Sequence, residues 1–446
     1  MGKKPINCFP GYEHIPGPEH KGLGRNMYRG VDLGFGGYVY SEPGIYTNVA
    51  LLDAASMHPT SIIALNKLGK YTEVYKELKE ARILIKHHDF EKAGKLFDGK
   101  LIPYLTSDDE ADALSNAIKL PLNQLFGISF SKYNMPTVDS RDINDIIALR
   151  GALFMKTLQD EVVARGYQVV HIKTDSIKIP NADDKIIKFV QEFGEKYDYT
   201  MEHEATYDRM CLINDSTYIA KYDDQGIRNK GGKKANQWVA VADQFQVPYV
   251  FKTLFSHEDI IFNDLCETFS VKEGEIYLDM NEDLPDVTEY EKELKKLEAK
   301  YKRGELSDTT FEKEAPELEA KIEKGHNYIF VGHVGQFCPI VEGAGGGVLY
   351  RIKDGKKYAV QKTTGYRWLE TEMVKELGKE GFIDMSFYEE LAKAARKAVE
   401  KYGDFERFVA DEPYVPDWMY IPPGAPEELP WDPEDKGTDP AEKEHP

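Results

Sequence analysis

The stretch Gln168 to Pro180, QVVHIKTDSIKIP, constrains the fold most, because apolar and polar residues alternate on both sides of one short interruption. Alternation with a period of two is typical of β-strands, and the pair Thr174 and Asp175 falls where a turn would join two of them. The segment therefore predicts a β-hairpin with Asp175 at or beside its tip. Aspartate is common in turns because its side chain bonds nearby backbone. A metal-binding role for Asp175 requires a second carboxylate elsewhere in the chain.

A candidate for that carboxylate follows a buried strand nearer the N-terminus. The apolar run Val49 to Leu52 predicts the strand, Asp53 ends it, and Pro59 suits the start of a helix over residues 60–68. Asp53 and Asp175 are thus both predicted at strand ends. Two such carboxylates can hold two divalent cations. These cations stabilise the attacking and the leaving oxygen of an in-line phosphoryl displacement. A helix-capping aspartate is the alternative interpretation of Asp53.

The segments around these strands have mainly helical patterns. Residues 70–97 and about 108–125 are helical and charged, and a third helix from near 143 to 165 leads into the hairpin. Residues 287–325 predict a solvated helical hairpin. The Gly-rich VEGAGGGVLY after it predicts a turn between strands, because it lacks the Lys-Ser/Thr of a phosphate-binding loop. This succession predicts an α+β fold.

Composition narrows the class of protein. The chain has 446 residues, enough for several domains, and no apolar run approaches the roughly 20 residues of a membrane span. Its four cysteines form no CxxC pair, so we expect neither a disulfide framework nor a structural zinc site. This cysteine usage suits a cytoplasmic protein. The net charge of −20 argues against a generally basic surface and leaves a locally basic cleft open.

Three short motifs in one order resemble those of family B (alpha-like) DNA polymerases. DAASMHPTS at 53–61 is similar to motif A, DxxSLYPS, and KLPLNQLFG at 119–127 is similar to motif B, KxxxNSxYG. KTDS at 173–176 resembles the core of motif C, DTDS. Each motif alone is weak, whereas the ordered set is specific. The resemblance covers about residues 34–222, close to half of the chain.

The resemblance implies a phage-type, template-directed DNA polymerase that uses two Mg²⁺ ions, with Mn²⁺ as an alternative. Asp53 and Asp175 would be the catalytic metal ligands, with the Ala54 carbonyl as a further ligand. Residues implied to bind the nucleotide are Ser56, Met57, His58, Arg82, Lys86, Lys119 and Asn123. Residues implied to contact DNA, some of them from weaker matches to YxGG and KxY motifs, are Gly36, Gly37, Phe126, Gly127, Lys173, Tyr218 and Lys221.

The same resemblance implies a palm with an antiparallel sheet, helical fingers and a thumb. Residues 1–66 would be the N-terminal segment and the first part of the palm, 67–127 the fingers and 128–235 the palm. The end of the palm and the thumb would occupy 236–410, with the helical hairpin at 287–325 as an insert, before an acidic, Pro-rich tail at 411–446. Primer–template DNA and dNTPs are the expected partners. No association with a membrane is expected. Only about fifty residues precede Asp53, too few for the family's 3′–5′ exonuclease domain, so the resemblance implies no proofreading on this chain, with the exonuclease either lost or encoded as a separate subunit.

Departures from the family pattern leave two alternatives open. Lys173 replaces the first aspartate of motif C, which would suit a non-catalytic relative that binds primer–template or a replication partner. His58 stands where the family has the tyrosine that excludes a ribose 2′-hydroxyl, which would suit a primase or another RNA-synthesising enzyme. Gln124 and Phe126 replace the serine and tyrosine of motif B, and Ser216 replaces the lysine of KxY.

Overall fold

We describe the fold from a computed structural model of residues 8–15, 17, 24–129, 146–228, 231–281 and 283–415, with the backbone alone for 127–129. It agrees with the predicted α+β class. The N-terminal region forms a small antiparallel sheet in the order β1-β2-β3. Its strands are β1 (Tyr12–Ile15), β2 (Arg25–Tyr28) and β3 (Val31–Asp32).

A seven-stranded antiparallel sheet, here called the central sheet, is the core of the molecule. Its strands are β4 (Val39–Ser41), β5 (Gly44–Ala54), β6 (His171–Lys173), β7 (Ser176–Pro180), β8 (Met201–Asn214), β9 (Thr217–Tyr222) and β10 (Trp238–Val241). They lie side by side in the order β10-β9-β8-β5-β7-β6-β4. β6 and β7 form the predicted hairpin with Thr174 and Asp175 in its turn, and β7 pairs with β5 so that Ser176 lies opposite Asp53.

A helical region lies between β5 and β6 in the chain. Its helices are α1 (Met57–Ala64), α2 (Thr72–Lys86), α3 (Phe90–Ala93), α4 (Asp108–Ser129) and α5 (Ile146–Val163), and α6 (Asp184–Glu195) follows β7. Short 3₁₀ turns at Gly69–Tyr71, Leu96–Gly99 and Ile102–Tyr104 connect some of them. α2 and α4 pack together around a separate apolar cluster that includes Tyr75, Ile85 and Leu122.

Two helix predictions need correction. The helix predicted over 60–68 is α1, which begins earlier because Ser56 adopts a left-handed conformation, with φ of 58°, and the chain turns into the helix at Met57. The helix predicted over 70–97 ends at Lys86, because His88 has φ of 57° and the Asp89 side chain then caps α3 by accepting from the Lys92 N–H. The predicted start of α5 near 143 lies outside the described residues.

The two faces of the central sheet are covered differently. Ala50, Leu52 and Ala54 of β5 belong to the apolar core shared with α5 and α6, whereas Val49 and Leu51 belong to a cluster on the opposite face. Side chains alternate along a strand. Asp53 therefore lies on the same face as Leu51, away from α5, where it is free to line a cavity.

Beyond the central sheet, the chain forms two smaller antiparallel sheets. One has the order β11-β14-β17 and the other the order β13-β12-β15-β16. Their strands are β11 (Glu267–Ser270), β12 (Glu275–Asp279), β13 (Tyr328–Gly332), β14 (Val334–Ile340), β15 (Val348–Lys353), β16 (Lys356–Ala359) and β17 (Arg367–Glu370). The Gly-rich segment joins β14 to β15, as predicted.

Helices accompany these sheets. They are α7 (Asp243–Gln246), α8 (Pro248–Phe251), α9 (Thr288–Lys302), α10 (Asp308–Glu323), α11 (Thr371–Glu376), α12 (Met385–Glu400) and α13 (Phe405–Val409), with a π-helical turn at Lys252–Ser256 and 3₁₀ turns at Phe262–Leu265 and Glu380–Phe382. α9 and α10 are the predicted helical hairpin. Of the predicted tail, residues 416–446 lie outside the described ranges. Each helix within those ranges is too short or too polar to cross a bilayer.

Candidate active site

A cavity of about 360 Å³ lies at the end of β5, where the central sheet meets α1, α2 and α4. All ten residues that the motif resemblance implies for metal or nucleotide binding line it. They are Asp53, Ala54, Ser56, Met57, His58, Arg82, Lys86, Lys119, Asn123 and Asp175, and the other lining residues are Ala55, Pro59 and Leu122. Residues far apart in the chain therefore meet in one place.

The backbone fixes the two aspartates relative to each other. The Ala54 N–H donates to the Asp175 carbonyl oxygen at 2.8 Å, and the Asp175 N–H donates to the Lys173 carbonyl oxygen at 2.7 Å. Thr174 takes a left-handed conformation with φ of 59° to make this tight turn. A Cβ added at Gly37 would lie 2.5 Å from the Thr174 hydroxyl oxygen, so only glycine allows the loop before β4 to pack this closely on the turn.

Burial and mutual repulsion set the electrostatics of the pair. Burial raises the pKa of Asp53 to about 8, and the neighbouring Asp175 and Glu204 carboxylates raise it further. Burial also raises the pKa of Asp175, again with a contribution from Glu204. Carboxylates shift in this way when they lack enough nearby positive charge. A cation bound between the two carboxylates would lower both pKa values.

Two further carboxylates of β8 were missed by the sequence analysis. Glu202 lies opposite Asp53 in the β5–β8 ladder, and its carboxylate is 2.9 Å from Nε2 of His87 and 3.9 Å from Nζ of Lys86. Glu204 is the extra residue of a β-bulge, because Leu51 pairs with Ala205 while the next residue of β5 pairs with 203. The polar alternation MEHEA at 201–205 was the available signal, but it does not reveal which strand neighbours β8.

Cationic side chains of the helical region form the opposite wall. Arg82 of α2 donates from Nη1 to the Ser56 hydroxyl at 3.3 Å, and its Nε is buried without a hydrogen-bond partner among the described residues. Lys86 lies one turn further along α2, and Lys119 and Asn123 lie one turn apart on α4. A buried guanidinium N–H with no partner is suited to an oxygen-rich anion such as phosphate.

The start of α1 adds backbone donors to the same wall. α1 begins at Met57, so the N–H groups of Met57 and His58 belong to its first turn, where no intrahelical acceptor exists. No side chain caps this end, and the first turn holds no acidic residue. A helix N-terminus of this kind favours a bound anion, and the cavity lies beside it.

His58, which lines the cavity, packs against the ring of Phe126. Their ring centroids are 4.0 Å apart with an interplanar angle of 42°. Burial lowers the pKa of His58, which favours the neutral imidazole at pH 7. The pair is therefore an apolar, tilted aromatic contact at the position where the motif resemblance implies the nucleotide sugar and base.

The residues implied to contact DNA have mixed surroundings. Lys173 is exposed at the end of β6, whereas the Tyr218 side chain is only 9% exposed and contacts the rings of His171 and Tyr207. Lys221 makes a 3.4 Å ion pair with Asp411. A second cavity, of about 490 Å³, includes Gly34, Gly37, Tyr38, Lys156 and Gln159 in its lining. The DNA contacts of Gly36, Gly37, Phe126, Gly127, Lys173, Tyr218 and Lys221 stay predictions.

The oxygen donors of Asp53 and Asp175 are of the kind that suits Mg²⁺. In the described part of the chain, no group of three or more His, Cys, Asp or Glu side chains is arranged to hold a metal ion. Asp53 and Asp175 offer only oxygen donors beside an open cavity. Mg²⁺ prefers such ligands and completes its shell with water and substrate phosphates.

Comparisons with known proteins show similarity at the level of solved structures, at low sequence identity. No family model and no curated protein matches the chain. Among solved structures, the family B DNA polymerase from the hyperthermophilic archaeon Pyrobaculum calidifontis aligns with a TM-score of 0.41 and 14% sequence identity. The alignment covers 85% of this chain and 48% of that one, so the chain spans about half the length of that polymerase.

Proposed function

We propose that this chain is a template-directed DNA polymerase that adds dNTPs to a primer 3′ end by phosphoryl transfer with two divalent metal ions. The observation that carries the proposal is the single cavity lined by all ten residues of motifs A, B and C and of α2 that were implied for metal and nucleotide. A chance resemblance of three short motifs would not bring their polar residues into one cavity. Phage genome replication and a cytoplasmic location remain predictions.

Asp53 and Asp175 would hold the metal ions, with the Ala54 carbonyl as a further ligand. When bound, divalent cations stabilise negative charge on the attacking and leaving oxygens of an in-line displacement. The protein's part is to hold both carboxylates desolvated and fixed, and the bound cations would favour their ionised forms. The Ala54–Asp175 hydrogen bond and the tight turn at Thr174 supply that rigidity. The raised pKa of Asp53 is consistent with a site designed to be completed by cations.

The opposite wall would hold the triphosphate. The first-turn N–H groups of α1 and the buried Arg82 guanidinium are positioned to donate hydrogen bonds to phosphate oxygens, and Lys86 and Lys119 add positive charge. Such fixed donors stabilise charge that develops on the phosphates without reorganising during the reaction. His58 and Phe126 would border the sugar and the nascent base pair.

The proposed division into palm, fingers and thumb follows the same logic. The central sheet with α5 and α6 would be the palm, α2 to α4 the fingers, and the two C-terminal sheets with α9 and α10 the thumb and its insert. β10 (Trp238–Val241), an edge strand of the central sheet, would belong to the last part of the palm, which was expected within residues 236–410 together with the thumb.

Primer extension tests the proposal directly. We expect the purified chain to extend a DNA primer on a DNA template with dNTPs and Mg²⁺, and Asp53→Asn to remove the activity. Asp112→Asn, which makes the same chemical change at an exposed position of α4, serves as the matched control. Absence of extension by a chain that binds Mn²⁺ at Asp53 would overturn the proposed activity.

The exposed Lys173 favours the alternative of a non-catalytic primer–template-binding subunit. It stands where the family has a carboxylate, and it adds positive charge beside the metal site. Binding of primer–template without any extension would support that alternative.

Parallel reactions with ribonucleotides test the RNA-synthesising alternative. Incubation of the chain with a 3′-mismatched primer and Mg²⁺, without nucleotides, tests the expectation that it does not proofread, because release of dNMP would contradict it.

A further inference from the structure

A buried lysine lies on the same face of the central sheet as the two aspartates. Lys178 of β7 pairs with Leu51, two pairs along the ladder from the Ser176–Asp53 pair, and Lys178 is only 2% exposed. Residues two apart on neighbouring strands project from the same face and are diagonal neighbours, with Cβ atoms roughly 7–8 Å apart. Lys178 therefore lies one layer behind the Asp53 carboxylate. Neither the motifs nor the proposed mechanism uses it.

Among the described residues, the direct partners of Lys178 are neutral. Its Nζ donates to Nδ1 of His171 at 2.9 Å and lies 4.9 Å from the centre of the Tyr218 ring. Because a lysine ammonium only donates, Nδ1 must accept, and the Nε2–H of His171 then donates to the Asp215 carbonyl at 3.0 Å. Burial, together with Lys178, lowers the pKa of His171 to about 4, so His171 contributes no charge at neutral pH.

The negative charge that compensates Lys178 must come from the carboxylates of Asp53, Asp175 and Glu204, here called the acidic cluster. A buried ammonium is costly unless negative charge lies nearby. Burial lowers the pKa of Lys178 to about 8, and the carboxylates that oppose this effect are Asp53, Glu204 and Asp175. The same carboxylates repel one another. In the metal-free protein, Lys178 and the acidic cluster therefore stabilise each other.

We infer that Lys178 is a positioning residue that partly neutralises the Asp53–Asp175 site when metal is absent and thereby limits its affinity for divalent cations. The inference deepens the proposed function and rests on its metal site. The physical basis is competition, because the Lys178 ammonium and a bound metal ion are attracted to the same carboxylates. The ammonium and the metal ion also repel each other. Lys178 keeps the carboxylates assembled in the free protein at the expense of metal affinity.

The expected effect is large because the interaction is buried. A unit positive charge within roughly 10 Å of a divalent ion repels that ion and weakens its binding substantially at protein-like dielectric constants. We expect its removal to tighten metal binding about tenfold, where each tenfold corresponds to about 1.4 kcal/mol. Lys173 offers a matched comparison, since it lies on the same face but is exposed, and solvent screens its charge.

The experiment measures Mn²⁺ binding to the full chain by electron paramagnetic resonance, without DNA or nucleotide. We expect Lys178→Met to bind Mn²⁺ about tenfold more tightly than wild type, Lys178→Arg to bind like wild type, and Lys173→Met to shift affinity by much less. We also expect metal-free Lys178→Met to melt at a lower temperature, with Mn²⁺ restoring more of its stability than it adds to wild type. Lys178→Gln repeats the charge removal while keeping a donor for His171.

Two outcomes are kept apart by Asp53→Asn. If that variant binds Mn²⁺ as wild type does, the proposed metal site is wrong. If Asp53→Asn weakens binding while both neutral variants of Lys178 bind Mn²⁺ no more tightly than wild type, the metal site stands and the role of Lys178 is overturned. Should Lys178→Met fail to fold, as judged by circular dichroism, Lys178→Gln decides between these results.

Discussion

The Ala54 N–H donates a hydrogen bond to the Asp175 carbonyl oxygen at 2.8 Å, which ties the turn of the β6–β7 hairpin to the end of β5. The two carboxylates of the candidate site are thus joined through backbone rather than through side chains. A substitution of either carboxylate can therefore change the chemistry of the site while leaving its frame intact.

Replacement of either aspartate by asparagine is expected to abolish primer extension while the protein stays folded. Each change removes a metal-binding charge and keeps almost the same shape. Because the pKa of Asp53 is raised to about 8, its ionised form is disfavoured by folding, which offsets the lost attraction to Lys178, so Asp53→Asn should stay folded in metal-free buffer. Extension rates and thermal melting curves are the measurements. Near-wild-type extension by either variant in Mg²⁺ would contradict the two-metal assignment.

Lys119→Ala is expected to raise the KM for dNTP and to lower kcat. Lys119 projects from α4 into the cavity beside Asn123, so its charge would act on the phosphates both in the ground state and during transfer. Loss of one contact to developing charge costs on the order of 10²-fold in rate. Steady-state kinetics of single-nucleotide insertion measure both parameters. Lys76→Ala, at an exposed position of α2, is the control and should leave them unchanged.

Periodicity alone predicts the hairpin that presents Asp175, the strand before Asp53 and the helical hairpin α9–α10, because each depends on local alternation or helical spacing. The early start of α1 depends on one left-handed residue, Ser56, which no apolar pattern reveals. Glu204 could not be found because its position arises from a bulge between strands that are distant in sequence.

The same limit applies to Lys178. Its burial follows from the pairing of β7 with β5 and from the covering His171 and Tyr218, and all of these are tertiary relationships. In the sequence it is one more lysine of an alternating strand. The motif resemblance supplied the residues of the cavity, whereas the buried charges around it depend on strand pairing that the motifs do not reveal.

Acidification is expected to destabilise the protein through His171. The folded-state pKa of about 4 lies below the ordinary value of 6.5, so between these values the unfolded chain takes up a proton that the folded chain does not. The contribution of His171 to the free energy of unfolding is therefore at its maximum above pH 6.5. It is lost as the pH falls from 6.5 towards 4. The loss from this residue amounts to at most about 3 kcal/mol.

Urea unfolding of wild type and His171→Gln at pH 7 and pH 4.5 isolates this contribution, because the acidic residues titrate in both proteins. Glutamine keeps one acceptor and one donor for Lys178 and Asp215 but does not titrate. The stability difference between wild type and variant should shrink or reverse at pH 4.5. An equal difference at both pH values would show that His171 is not kept neutral in the folded protein.

The last prediction compares two neighbouring glycines of the loop before β4. A Cβ at Gly37 would lie 2.5 Å from the Thr174 hydroxyl oxygen and 2.8 Å from its Cβ, whereas a Cβ at Gly36 would meet no atom within 4 Å. Gly37→Ala must therefore push the loop away from the turn that carries Asp175, at a cost of about 1–3 kcal/mol typical of overpacking. We expect it to lower stability and to reduce kcat at saturating dNTP, because the displaced turn shifts the Asp175 carboxylate. Gly36→Ala should keep wild-type stability, as thermal melting and primer extension would show. If both variants fold like wild type yet lose affinity for primer–template equally, the loop acts by contacting DNA and not by supporting the turn.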